Sequence, residues 1–240
     1  MKLHRSGISN MRLADTFLSD LKSHHRFLEI CTALSLTIVG FLLVVNEASV
    51  PLLAEEASVP VSELMAEEAL PDLPIGAANA PVTIVEYASM TCPHCAAFAA
   101  TTFPGLKSKY IDTGKVRFIL REFPLDPLAA AGFMLARCSG DDKRNAVVDL
   151  LFAQQKYWIV QDNPLAPLAA LLKQTGMGQA KFEACLKDND LRDKVYKVHE
   201  RAVEKFGVNS TPTFFINGKK VNGEMTLDAF TKLIDPLLKS

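Results

Sequence analysis

Residues 82–100 read VTIVEYASMTCPHCAAFAA, and the order of the parts decides the fold. Val82–Ala88 is rich in β-branched and aromatic residues and has the length of a buried strand. Ala96–Ala100 is an apolar run built from good helix formers. Between them stands Cys92-Pro93-His94-Cys95. A CxxC between a strand and a helix points to redox chemistry, because two sulfurs one turn apart can alternate between dithiol and disulfide.

The residue types suit that chemistry. Thiolates, not thiols, attack disulfides, and the positive potential of a helix N-terminus favours the thiolate. Cys92 is therefore the expected nucleophile, at an exposed position. Pro93 fits the first helical turn, where no intrahelical N–H bond is lost. His94 adds positive charge beside the sulfur when protonated. Holding the thiolate stabilises the reduced form and makes the disulfide a stronger oxidant. Cys95, one turn inward, is the resolving cysteine. A zinc site needs about four suitably spaced ligands. No second CxxC exists, and outside residues 1–26 the histidines are His94 and His199 alone. The motif calls for neither a metal nor a cofactor.

Two further places gain meaning from the CxxC. Thr211-Pro212 precedes the strand-like Thr213–Ile216. It is either an ordinary pre-strand proline or a cis peptide that turns the backbone towards the cysteines and leaves edge groups free for substrate. Glu86 lies six residues before Cys92. It is either a solvated strand residue or a partly buried carboxylate of raised pKa that moves protons to and from Cys95.

Length and composition bound the rest. The chain has 240 residues, 49% of them apolar, and a formal charge of −1. That is one domain plus an appendage, with nothing to suggest nucleic-acid binding. The charge is unevenly spread: residues 1–26 carry five Lys/Arg against two Asp, whereas 46–106 carry eight acids and no Lys or Arg. Between these regimes, Ile30–Val45 is an uncharged apolar run. Basic residues before it and acids after it predict an N-in orientation, with residues 27–45 in the membrane and the rest exported. Its length falls between a signal-peptide core and a full span. Without a clean small-x-small cleavage site, an uncleaved signal anchor is preferred over a removed signal peptide.

Export bears on the cysteines, since disulfides persist outside the cytosol. Cys31 sits inside the apolar run and has no expected redox role. Cys138 and Cys185 form either a structural disulfide or two buried free thiols.

Three regions follow: 1–46 as cytoplasmic N-terminus and signal segment, 47–74 as an acidic Ala/Pro-rich linker, and 75–240 as the folded domain. The linker is a flexible spacer or an oligomerisation arm with Val61, Leu64, Met65 and Leu70 as its stripe. In the domain, Pro81–Ala88 reads as strand, Cys95–Lys109 as helix, and Lys115–Phe123 as strand. Residues 127–206 are helical, most clearly at Leu191–Phe206. Thr213–Ile216, Asn217-Gly218 and Lys219–Val221 read as a hairpin with a type I′ turn. Thr226 caps a last helix bearing Leu227, Phe230, Ile234 and Leu237. The order β-α-β, helical block, β-β-α is an α/β thioredoxin-like fold, 75–126 and 207–240, with a helical insertion at 127–206.

With these parts in place, Val82–Phe98, the segment Ser210–Phe214 and the intervening helices together resemble the DsbA family of bacterial thiol:disulfide oxidoreductases, over roughly 75–240. The resemblance implies a strongly acidic, oxidising Cys92, with Cys95 as its partner and Glu86 as the acid near the buried cysteine. It also implies a cis-proline loop at Thr211-Pro212, periplasmic substrates and reoxidation by a DsbB-like membrane partner. The Cys138/Cys185 pair resembles the extra disulfide of an alphaproteobacterial-type subgroup. Thr211 departs from the Val of the best-known oxidases and is found in related disulfide isomerases. The leading expectation is donation of the Cys92–Cys95 disulfide to exported proteins. The alternatives are an isomerase or reductase of the same fold, a glutathione-dependent enzyme, and a non-catalytic chaperone or binding module.

Overall fold

The structure is a computed structural model and describes residues 58–159 and 162–239. The expected signal segment, Cys31 and the first part of the linker lie outside the described residues. Among those described, no helix is long and apolar enough to cross a membrane.

A four-stranded sheet carries the site. Its strands are β1 (Val82–Ala88), β2 (Val116–Glu122), β3 (Thr213–Ile216) and β4 (Lys219–Asn222), in the order β2-β1-β3-β4. β1 and β2 run parallel, and the other pairs are antiparallel. Every residue of β1 is buried, as a central strand covered on both faces should be. Val82 and Ile84 pack with Phe118, Phe214 and Ile216 beneath Phe98 of α2 (Pro93–Thr101) and Phe230 of α10 (Leu227–Leu237). Val85 and Tyr87 face the opposite way, into the core shared with the helical block.

That block comprises α4 (Pro127–Cys138), α5 (Asp141–Ala153), α6 (Gln155–Trp158), α7 (Leu165–Lys173), α8 (Gln179–Leu186) and α9 (Asn189–Phe206). Val195, Val198, Ala202 and Phe206 of α9 are buried, whereas Leu191 packs only partly. Asp126, Asp188 and Thr226 cap α4, α9 and α10 through their side-chain oxygens.

Two features differ from the sequence expectation. The helix over 95–109 starts earlier, at Pro93, and is broken: α2 ends at Thr101, α3 (Phe103–Leu106) follows, and a π-helical turn spans Lys107–Ile111. Pro104 has no N–H with which to continue the helical ladder, and the buried Thr102 hydroxyl donates to the Met225 carbonyl instead, at 3.0 Å.

The second difference is the segment 58–74. The Val59 N–H donates to the Gly218 carbonyl at 2.9 Å, and Leu64, in the short α1 (Val61–Leu64), and Leu70 are buried in the main core. Glu68 sits between Arg121 at 2.9 Å and Arg201 at 3.0 Å, and Asp72 accepts from two of the three Arg121 guanidinium nitrogens, Nε and Nη2. Apolar side chains and acids that composition assigns to a spacer or an oligomerisation stripe find their partners within this domain. Gly218 is needed for that docking, since a Cβ there would meet the Val59 carbonyl at 2.0 Å.

Candidate active site

Cys92 is the N-cap of α2, with Pro93 at the first helical position and no side-chain cap. Pro93 and His94 are exposed, whereas Cys95 is fully buried. The helix start predicts an exposed Cys92, but the residue is only 5% exposed. The reason lies elsewhere in the chain: the Thr211 carbonyl closes over its sulfur at 3.3 Å. Thr211-Pro212 is a cis peptide.

The two sulfurs are driven apart electrostatically. The hydrogen bond from Cys95 contributes most to pulling Cys92 down to about 5; burial opposes it, and the Thr211 side chain and the backbone N–H groups of Cys95 and His94 add to it. Cys95 moves far upwards, because its proton is engaged with Cys92, because it is buried, and because Glu86 and Cys92 both repel a second negative charge. One cysteine is built to be a thiolate and the other a thiol.

Glu86 points from β1 to the same face as Ile84, beneath α2, with Leu120 and Phe214 as its strand neighbours. It is 2% exposed, so the solvated alternative does not hold. Burial, then the Cys92 charge, pushes its carboxyl well up, with Arg144 opposing. His94 Nδ1 lies 3.2 Å from Glu224 Oε2 on the surface. Glu224 follows β4, so the end of the hairpin reaches back to the CxxC.

Several contributors are absent from the sequence expectation. The buried Gln155 side chain donates from Nε2 to the carbonyls of Met90 and Cys92, each at 2.9 Å. Thr91 donates to Asp126, whose other oxygen caps α4. Gly132 of α4 leaves room for Met90, whose Cγ would lie 3.1 Å from a Cβ at that position. The inserted helices thus hold the loop that carries Cys92. Nothing in the local pattern around Gln155 distinguishes it from a surface glutamine. Beside Cys92 an open groove of about 700 Å³ is lined by Thr91, Pro93, Leu125, Ile159 and Pro164.

Away from the CxxC, Cys138 of α4 and Cys185 of α8 are joined in a disulfide. Glu122 lies buried between Arg137 and Arg144, each at 2.7 Å, and ties the sheet to the insertion. Among the described residues no cluster of His, Cys, Asp or Glu is arranged to hold a metal ion.

A family model described as Thioredoxin matches residues 68–236. A Rickettsia bellii protein named protein-disulfide oxidoreductase is 30% identical over 70% of this chain. The match spans 65% of that protein, so the chain covers a little under two thirds of it. A Bacillus cereus disulfide bond formation protein D is 32% identical, over 69% of this chain and 78% of that one. The crystal structure of Wolbachia pipientis alpha-DsbA1 is 33% identical, with a TM-score of 0.69, over 74% of this chain and 96% of that one. With the fold, the CxxC and these likenesses together, the chain belongs to the thioredoxin family, in its DsbA-like group.

Proposed function

We propose that the protein is a thiol:disulfide oxidoreductase that donates the Cys92–Cys95 disulfide to exported proteins. The observation that carries this reading is the asymmetry of the two sulfurs: Cys92 at the edge of a groove with its pKa at about 5, Cys95 buried and pushed the other way. A substrate thiolate attacks Cys92, the Cys92–Cys95 bond breaks, and a mixed disulfide forms while Cys95 leaves with the electron pair. A second substrate thiolate then attacks the substrate sulfur, and Cys92 departs as a thiolate, a good leaving group at neutral pH. The largely apolar groove and the Thr211-Pro212 loop suit an extended, unfolded segment of chain. The site of action is the bacterial periplasm, and a DsbB-like membrane protein restores the disulfide.

Oxidation of reduced ribonuclease tests the reading. The oxidised protein should restore ribonuclease activity and Cys92→Ser should abolish it, while Cys95→Ser, offered a disulfide-bonded substrate, should attack it and be held as a mixed disulfide on Cys92. Full activity of Cys92→Ser would rule out catalysis at this motif and leave a binding module. A second reading, isomerase or reductase, is favoured by Thr211 before the cis-proline. Trapping the thiols in cells separates the two: an oxidase is found mostly disulfide-bonded, an isomerase or reductase mostly as the dithiol.

A further inference from the structure

Cys95 has no direct route to solvent, yet its chemistry requires one. It is fully buried and must gain a proton when it leaves the disulfide and lose one before it attacks. Glu86 is similarly enclosed. Beside Glu86, a cavity of about 20 Å³ is lined by Glu86, Arg144 and Asp149, with Phe98, Phe118 and Leu120 among its apolar walls. A space of that size holds one water molecule when polar partners are at hand. They are: Glu86 Oε1 and Arg144 Nε are both fully buried and have no hydrogen-bond partner in the protein. A buried polar atom left without a partner is costly, so a bridging water is favoured here.

Asp149 is the lining residue that also reaches outside. It lies on α5 and is exposed on its outer side. With Ala99 and Phe103 it lines a second, open pocket of about 400 Å³, to which Lys107 also contributes. The three residues form the wall between the inner cavity and solvent. Asp149 can exchange a proton through that wall, whereas the Arg144 guanidinium stays protonated and cannot.

We propose that Asp149 is the solvent-side member of a proton relay that serves Cys95 through Glu86 and one water in the cavity. This rests on the thiol–disulfide reading of Cys92 and Cys95. When the active-site disulfide is opened, the Cys95 thiolate takes the proton of the Glu86 carboxyl, which is replenished through the water from Asp149 and from solvent. When the disulfide is remade, the Cys95 thiol gives its proton to the Glu86 carboxylate, its sulfur attacks Cys92 in the mixed disulfide, and the departing thiolate carries away the electron pair. The proton then leaves by Asp149. Burial raises the Asp149 carboxyl, with Arg144 and then Lys107 opposing. The charged and titratable groups around the path are Glu86 of β1, Cys92 and Cys95 of α2, Lys107 of the π-helical turn, and Arg144 and Asp149 of α5.

The full-length reduced protein, mixed with glutathione disulfide and followed by acid quench, separates two steps: attack by Cys92, and resolution by Cys95. Asp149→Asn should slow resolution about tenfold, a modest share of what proton transfer contributes in enzymes, and leave the Cys92 step within about twofold. Asp149→Glu should restore resolution, and added formate or imidazole should accelerate Asp149→Ala. The fall in resolution as pH decreases should also change shape in Asp149→Asn. Wild-type resolution at every pH in Asp149→Asn would overturn the relay, as would equal slowing of both steps or the absence of any rescue. If the wild type itself forms no mixed disulfide at Cys92, the oxidoreductase reading fails, an outcome separate from all of these.

Discussion

The Cys92 sulfur lies 3.3 Å from the carbonyl oxygen of Thr211, a residue 119 positions later in the chain. That carbonyl accepts a hydrogen bond from the Cys92 thiol but offers none to a thiolate. The groups that stabilise the thiolate are the Cys95 thiol first, then the Thr211 side chain, then the backbone N–H groups of the first turn of α2. Reactivity is thus set mainly from the helix, with Thr211 contributing, and access is set by the loop.

A pH titration checks this division. The thiolate absorbance of the reduced protein near 240 nm should rise with a midpoint near pH 5, against about 8.5 for a free cysteine. Because the folded pKa is lowered, Cys92 stabilises the reduced fold fully above the ordinary thiol range, and the effect is lost as pH falls towards 5. The reduced protein should therefore lose thermal stability relative to the oxidised one between about pH 9 and 5. Cys95 shifts upwards and so destabilises the reduced fold only above the ordinary thiol range. Parallel melting curves at every pH would contradict the assignment.

Gln155→Ala should loosen the active-site loop from the insertion. It leaves two buried carbonyls, Met90 and Cys92, without their donor. A loss of about 1–3 kcal/mol is expected from such unsatisfied groups. Urea denaturation should show it, together with slower oxidation of reduced ribonuclease.

Replacing both Cys138 and Cys185 by Ala removes a cross-link between residues 47 apart. The loop-entropy model gives roughly 4 kcal/mol for a loop of that length. The urea midpoint should fall accordingly while the Cys92–Cys95 exchange persists, since the bond ties α4 to α8 and contributes no group to the CxxC.

Glu122→Gln should be strongly destabilising. Burial pushes the Glu122 carboxyl up, but Arg144 and Arg137 outweigh it and hold it below the usual range. Removing the charge strands two buried guanidinium groups, at a cost of about 3–5 kcal/mol for a broken buried pair. The same ion pairs make the wild type acid-sensitive. Their contribution is complete above the ordinary carboxylate pKa and is lost as pH falls through the lowered value. The variant should therefore show a flatter stability profile below about pH 4.5.

The redox motif was legible because its information is local. Cys92, Pro93 and Cys95 share one helical turn, and Asn217-Gly218 marks its own hairpin. Glu86 was half legible: its place on a strand before the motif is visible, but its burial depends on α2 lying across it. Gln155 and Arg144 were invisible as site residues. On a helix, polar residues of this kind normally face water, and only the packing of α5 and α6 against the sheet turns them inward. The segment 58–74 misled for a related reason, since its Ala, Glu and Pro content suits a spacer until Arg121 and Arg201 claim its acids.

Order along the chain therefore carried the strands, the helices and the pair of sulfurs, since periodicity, turn residues and a two-residue spacing act over one or two turns. Folding decided everything that depends on residues meeting across tens of positions. It shielded Cys92 with Thr211, joined Cys138 to Cys185 and buried Glu86. It also brought Glu86, Arg144 and Asp149 to one small, mostly apolar cavity between the sheet and the insertion. Those meetings are set by which faces bury together and which buried charges find partners, and no local window contains both sides of such a contact.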